Sequence, residues 1–253
     1  MIDIRCCDNL ELMSQISDNT IDLIYCDILY GTGKKFKDYQ DLKPKRRIIE
    51  EHYIPRIKEM HRILKDTGSI YLQMDYKISH WIRCIMDDIF GYNNMRNEII
   101  WCYNTQGSSE NNFAYKHDNI LYYVKAKRFI WNPKKQLNYS PFMANRENSK
   151  KYGGHYNKNG LWMTYVNMRN YWDDIYVVRK RNNAQYVGYE TQKPLALIER
   201  IIKASSNEGD LVADFYLGSG TTAEVCKKLN RNFIGCDISE TAIQISKERV
   251  QCQ

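Results

Sequence analysis

The chain has 253 residues, 43% of them hydrophobic, and a formal net charge of +7. That length is enough for one large α/β domain, or a domain with an insertion, around a real buried core. The sequence holds no run of eighteen apolar residues, and Met1-Ile2-Asp3-Ile4-Arg5 lacks the pattern of a signal peptide, which argues against a membrane span or a secreted chain.

Taken in order, a strand is predicted over 2–6 and an amphipathic helix over 9–16, with Leu10, Met13 and Ile16 on one face. A buried strand over 21–26 leads into Asp27. Residues 31–47 are rich in Gly and Lys without an apolar period, and are expected to form a mobile basic loop that includes Lys34 and Lys35. A helix over 48–64 is expected to stop at Asp66-Thr67-Gly68. A strand over 69–74, a helix over 78–90 and a strand pair over 97–103 and 119–125 follow. Between 131 and 188 the texture turns to Asn, Lys, Gly and aromatics, too aromatic for disorder, and predicts a small inserted domain. After Pro194 the order is helix 194–205, strand 211–215, helix 220–229, strand 232–237 and helix 239–250. Repeated strand–helix units imply a parallel sheet covered on both faces.

Charge is unevenly placed. The segment 131–188 carries ten Lys and Arg against three acids, a net +7 that equals the charge of the whole chain. A basic segment on a neutral α/β body suits a phosphate-backbone partner. The eight cysteines form no CxxC pair and have no histidine at metal spacing, so reduced thiols in a cytoplasmic protein, without a metal site, are expected.

Two short motifs carry the chemistry. Asp27-Ile28-Leu29-Tyr30 sets a carboxylate and an aromatic ring at the tip of one strand. Asp214-Phe215-Tyr216-Leu217-Gly218-Ser219-Gly220-Thr221-Thr222 reads as strand, acid, Gly-rich loop and helix start, the form of a nucleotide-type binding turn. Gly218-Ser219-Gly220-Thr221-Thr222-Ala223 also fits the dinucleotide fingerprint, but Phe215-Tyr216-Leu217 intervene after the strand and little chain follows. An NAD-dependent oxidoreductase is the weaker alternative.

Together the motifs resemble those of the S-adenosylmethionine-dependent DNA amino-methyltransferases, Asp-Pro-Pro-Tyr for catalysis and Asp-Pro-Phe-x-Gly-Ser-Gly-Thr for the cofactor. The catalytic motif comes first here, as in the family's β class. The resemblance implies a Rossmann-like methyltransferase fold with a mostly parallel seven-stranded sheet, in permuted order. Residues 1–130 and 189–253 would build it, with 131–188 as an inserted target-recognition region. It also implies S-adenosylmethionine as cofactor and a flipped-out base in double-stranded DNA as substrate. A homodimer and a cognate restriction endonuclease are compatible partners.

The family roles fall on specific positions. Asp27 would accept an amino proton beside the Ile28 carbonyl, in a turn completed by Leu29, and Tyr30 would stack the extruded base. Flipping costs a few kcal/mol and stacking returns roughly 1–3 kcal/mol. The Gly-rich loop (Phe215, Leu217, Gly218, Ser219, Gly220, Thr221, Thr222) would wrap the methionine part beside Asp214. Asp237, 17 residues after Gly220, would bind the ribose and Asp8 the adenine amino group. Lys193, in Thr191-Gln192-Lys193-Pro194, would border the methionine end.

Trp101 and His117-Asp118 match the motif beside the target base; a core tryptophan and a structural loop histidine are the plainer alternatives. Lys34 and Lys35 in the loop, and Lys150, Lys151 and Arg169 in the insertion, are the DNA-contact candidates. Aspartate at position 27 points to adenine N6, since relatives acting on cytosine N4 usually carry Ser there; a cytosine-N4 methyltransferase is the first alternative. Ile28-Leu29 stand where the family has prolines, which removes a φ restriction. A DNA-binding protein without turnover is the second alternative.

Overall fold

The computed structural model describes residues 1–35, 40–103, 110–139, 153–179, 185–189 and 191–251. These form two compact units, one of residues 1–131 and 171–253, the other of 132–170. The larger unit contains, in order, β1 (Ile2–Cys6), α1 (Asn9–Ser14), β2 (Ile21–Asp27), α2 (Arg46–Ile63), β3 (Leu64–Met74), α3 (Tyr76–Phe90), β4 (Met95–Cys102) and β5 (His117–Val124). After the smaller unit come β9 (Tyr171–Trp172), α4 (Leu195–Ser205), β10 (Leu211–Asp214), α5 (Thr221–Lys228), β11 (Asn232–Asp237) and α6 (Glu240–Gln251).

Its strands form one sheet in the order β1-β11-β10-β2-β3-β5-β4-β9. All neighbours are parallel except β3 with β5 and β5 with β4. The sheet has eight strands rather than the expected seven, because the two residues of β9 add to the edge beside β4. Those residues lay inside the expected insertion of 131–188, yet they belong to the larger unit. β1 lies parallel to β11, where a strand following α6 would lie, so the permuted order is visible in the pairing.

Burial on both faces explains the near-continuous apolar run of β2. Ile24 and Cys26 pack with residues of α1, α2 and α3, such as Met13, Tyr53 and Ile82. Leu23 and Tyr25 point the other way, into a cluster with Leu197 and Ile201 of α4, Val225 of α5 and Ile243 of α6. Each fully buried Leu or Ile contributes about 1.5–3 kcal/mol. Three helices therefore cover each face. No helix among the described residues is long and apolar enough to cross a membrane.

Gly68 does not stop α2 as expected. The helix ends at Ile63, and Leu64 turns directly into β3 with φ −71° and ψ 135°. Pairing jumps from Ile21–Leu64 to Leu23–Ser69, so residues 65–68 form a bulge in β3. A Cβ on Gly68 would stand 2.6 Å from the Leu64 side chain, and this crowding accounts for the glycine.

The smaller unit is a three-stranded antiparallel sheet of β6 (Lys135–Tyr139), β7 (His155–Tyr156) and β8 (Trp162–Asn167), in the order β6-β8-β7. Trp162 is buried under the edge of Tyr156, with centroids 4.9 Å apart. The Asn157 side chain accepts from the amides of Asn159 and Leu161 and closes the turn between β7 and β8.

The loop after β10 is held from both ends. Asp214, 2% exposed, accepts from the Tyr216 amide at 3.0 Å and from the Thr222 hydroxyl at 2.6 Å. The Gly218 amide donates to Asp237 at 2.9 Å. From α6, the buried Arg249 pairs with Glu224 and donates to the Ser219 carbonyl at 3.1 Å and the Thr221 hydroxyl at 2.9 Å. Gly220 has φ +75°, and a Cβ there would lie 2.8 Å from the Ser246 Cα. Its missing side chain admits α6.

Two outcomes follow from this loop. Gly220→Ala combines a left-handed φ with a backbone clash, and should lower unfolding free energy by about 2 kcal/mol or more in urea titrations. Adding Ser246→Gly should not rescue it, since the Cα remains. Burial pushes Asp214 up from 3.8 to about 7. The folded state then keeps a proton that the unfolded chain releases, so this group favours folding at low pH and loses that contribution as pH rises toward 7. The stability of wild type relative to Asp214→Asn should therefore fall between about pH 4 and about pH 8. A pH-independent difference between the two proteins would refute that assignment.

Candidate active site at the turning point of the sheet

From β10 the chain passes through α5 to β11 on one side, and from β2 through α2 to β3 on the other. The strand order therefore reverses between these two neighbours, paired at Leu23–Val212 and Ile24–Ala213. Ligands of open α/β sheets bind beyond the carboxyl ends of strands at such a point. There lies a cavity of about 220 Å³. It is lined by the tips of β2 (Asp27), β10 (Asp214) and β11 (Asp237), and by Asp8 at the start of α1.

The four residues of the first motif all line it. The Ile28 amide donates to the Gln73 carbonyl at 3.0 Å and extends the β2–β3 ladder by one bond, which a proline could not make. The Leu29 carbonyl accepts from Tyr53 at 3.1 Å. These bonds replace the φ restriction of the missing prolines. Lys193 sets its ammonium 2.5 Å from Asp27 Oδ2 and 5.2 Å from the centre of the Tyr30 ring. Sequence reasoning placed Lys193 at the methionine end of the cofactor; here its charge meets the acid. Burial pushes the Asp27 carboxyl up, while Lys193 pulls it down.

Behind Asp27 is a polar network that the sequence did not announce. The Tyr30 hydroxyl stands 2.9 Å from Asp27 Oδ1 and 2.6 Å from Asp118 Oδ2. Asp118, 4% exposed, also accepts from Gln73 at 2.8 Å and from Tyr103 at 3.1 Å. Tyr25 donates to the Gln73 side-chain oxygen at 2.8 Å. The sequence placed Asp118 in the pair His117-Asp118, which resembles the motif beside the target base, but gave no sign of its bonds to Tyr30, Gln73 and Tyr103.

The expected loop mobility over 31–47 meets a different arrangement. Asp41, 3% exposed, accepts from the amides of Gly31, Thr32 and Leu42 and from the Thr32 hydroxyl. Gln40 bonds the carbonyls of Gly33 and Lys34. The described parts of the loop are thus tied across its neck, with Lys34 and Lys35 exposed.

Among the cofactor candidates, Asp8, Lys193, Asp214, Phe215, Leu217, Gly218, Ser219, Thr221, Thr222 and Asp237 line the cavity, and Gly220 does not. Asp237 accepts from the amides of Gly218 and Ser239, and Asp8 from the Leu10 amide and Arg56. His52 and Arg56 of α2 line the cavity too, unanticipated; burial lowers His52 to about 4. Asn9 Oδ1 and Arg56 Nε are buried without a hydrogen-bond partner among the described residues, although both residues line the cavity. Buried polar atoms of this kind normally find a partner. The wall therefore offers carboxylates, hydroxyls, a cation and aromatic faces, a donor set that matches a zwitterionic nucleoside.

The DNA-contact candidates fare unevenly. Trp101 is 2% exposed and donates from its indole nitrogen to the Ile175 carbonyl at 2.9 Å, so it is a core residue and not a base contact. His117 is half-buried, opposite Cys102 and near the Tyr76 ring. Arg169 belongs to the smaller unit, and Lys150 and Lys151 lie outside the described residues.

Residues 21–248 match the model of the N6/N4 family described as DNA methylase. A Type II methyltransferase of Haemophilus parainfluenzae, M.HpaI, is 34% identical over 98% of this chain and 74% of its own length. The DNA adenine methyltransferase YhdJ of Escherichia coli is 28% identical over 96% of this chain and 80% of its own. A putative DNA modification methylase of Thermus thermophilus, solved with S-adenosyl-L-methionine, is 17% identical with a TM-score of 0.64, covering all of this chain and 94% of that one; it shares the fold. With a family match over most of its length, the chain belongs to the N6/N4 DNA methylases.

Proposed function

We propose that this methylase transfers a methyl group from S-adenosylmethionine to the N6 amino group of adenine, flipped out of double-stranded DNA. The observation that carries it is Asp27 and Tyr30 at the wall of the same cavity as Asp214 and Asp237. Aspartate at position 27 supports adenine, as does the name of the Escherichia coli relative.

The cavity wall divides the work of binding. Asp237 would take the ribose hydroxyls and Asp8 the adenine amino group, near Asn9 Oδ1 and Arg56 Nε, which have no partner among the described residues. Phe215 and Tyr216 line the same wall and would flank the ring, while Ser219, Thr221 and Thr222 would meet the amino-acid end. Bound there, the cofactor supplies an electrophilic sulfonium methyl.

An exocyclic amine is a weak nucleophile because its lone pair is delocalised into the ring. Asp27 and the Ile28 carbonyl accept its protons, localise the lone pair and stabilise the developing positive charge. Lys193 pairs with Asp27 and draws its carboxyl toward the ionised form, against the effect of burial. Tyr30, fixed through its hydroxyl, presents its ring for stacking. The smaller unit serves as the target-recognition region: its described residues include Lys134, Lys135, Lys158 and Arg169 and no acid.

Purified protein with methyl-labelled S-adenosylmethionine and duplex DNA should yield N6-methyladenine on nucleoside analysis. N4-methylcytosine would overturn the base assignment, and no labelled base would overturn the activity. Asp27→Ala should cut single-turnover transfer by about a hundredfold or more, with cofactor affinity by calorimetry nearly unchanged. Wild-type rates in that variant would remove Asp27 from the chemistry. Lys134→Ala and Lys135→Ala should each reduce the slope of log K against log salt by about 0.9 for every phosphate no longer neutralised, equally on cognate and scrambled duplexes. Unchanged slopes would mean that other residues neutralise the phosphates.

A further inference from the structure

We infer that Asp118 is a positioning residue for methyl transfer, turning the Tyr30 hydroxyl so that a lone pair, and not its proton, faces Asp27. This rests on the assignment of Asp27 as the acceptor of the amine proton.

Two acids compete for one hydrogen. The Tyr30 hydroxyl has a single proton to donate, yet it lies 2.6 Å from Asp118 Oδ2 and 2.9 Å from Asp27 Oδ1. The shorter separation is that of an O–H bond to a carboxylate. The two acids also differ in need. Asp27 has the Lys193 ammonium at 2.5 Å, whereas among the described residues no ion pair involves Asp118, which is 4% exposed. A buried carboxylate without a cation depends on donated hydrogen bonds. Asp118 collects them from Gln73 and Tyr103, and Tyr25 fixes the Gln73 amide so that its nitrogen points to Asp118. The Tyr30 proton is the third.

With its proton on Asp118, the Tyr30 oxygen faces Asp27 Oδ1 as an acceptor. Two acceptors at 2.9 Å are satisfied only when one carries a proton. Asp27 is in that state after the amine has reacted: the N–H bond breaks, its electron pair stays on nitrogen, and the proton on Oδ1 is donated to Tyr30. The site is thus arranged in advance for protonated Asp27.

Other groups also act on Asp27. Lys193 draws its carboxyl down, and the charge of Asp118 adds to burial in pushing it up. Tyr25 and Tyr30 are the neighbouring hydroxyls, both buried and both held well above the usual tyrosine range by that burial.

The orientation of one hydroxyl has a sign that experiment reads. In the DNA-free protein, titration of the ¹³C-labelled Asp27 carboxyl should give a lower pKa in Tyr30→Phe than in wild type, because protonated Asp27 loses its acceptor. A hydroxyl that donated to Asp27 would give the opposite shift, and a rise would overturn the inference. Asp118→Asn should also lower the Asp27 pKa, mostly through the hydroxyl, so the drop should shrink when Tyr30→Phe is already present. An equal drop in both backgrounds would reduce Asp118 to a simple charge and overturn its positioning role.

In single-turnover assays, Asp118→Asn should slow transfer about tenfold and move the acidic limb of the pH profile to lower pH. A slower rate on an unmoved limb would indicate general damage instead and overturn the positioning role. If wild type transfers no methyl group, the proposed function fails, while the carboxyl titrations still decide the hydroxyl. Should Asp118→Asn not fold, the sign of the Tyr30→Phe shift alone confirms or overturns the orientation.

Discussion

The parallel pairing of β2 with β10 is the constraint on which the site depends. It brings residues 187 positions apart in the sequence to adjacent strand tips, where each strand ends in an aspartate. Packing acids together in a poorly solvated crevice is costly, and their charges repel. Each therefore has its own compensation. Asp27 has a lysine, Asp214 a backbone amide and a hydroxyl, Asp237 two amides, and Asp118 three side-chain donors. These different surroundings let one crevice hold a carboxyl that titrates near neutrality at Asp214 beside an ion-paired acid at Asp27.

The turn after β2 shows how a departure from a family motif is accommodated. Proline would restrict φ but could not donate a hydrogen bond. Ile28 uses its amide to lengthen the β2–β3 ladder and buries its side chain, 2% exposed, in the core shared with α2 and α3. The turn is then anchored by sheet and core instead of by ring closure. Restoring proline at position 28 would remove both anchors while regaining only the φ restriction.

What was legible in the sequence had local causes. Apolar period and the Gly-rich turn located β2, β10, β11 and the helices around them within a few residues, because burial on both faces leaves continuous apolar runs. The two strand-end acids were legible through their motifs. The acids that bond backbone or hydroxyls across long sequence gaps were not. Asp41 lies in a Lys-rich stretch that looks mobile until its carboxylate closes on the amides of Gly31 and Thr32. Arg249 and Glu224 sit on surface-like helices, and only the packing of α6 against α5 buries them. Trp101 erred in the other direction: a motif position suggested contact, and strand alternation turned it into the core.

Lys193 joins the two halves of the site more directly than either motif suggested. Its backbone carbonyl accepts from the Thr221 hydroxyl at 3.2 Å, while its ammonium holds Asp27. Thr221 is in turn gripped by Arg249 from α6. A chain of bonds therefore runs from α6 through the Gly-rich loop and Lys193 to the acid at the tip of β2. The position of the lysine is set by the loop, and the lysine pairs with the acid against the effect of its burial. Residues that line one end of the cavity thus fix the electrostatics of the other, which is why the geometry of the Gly-rich loop bears on Asp27 without touching it.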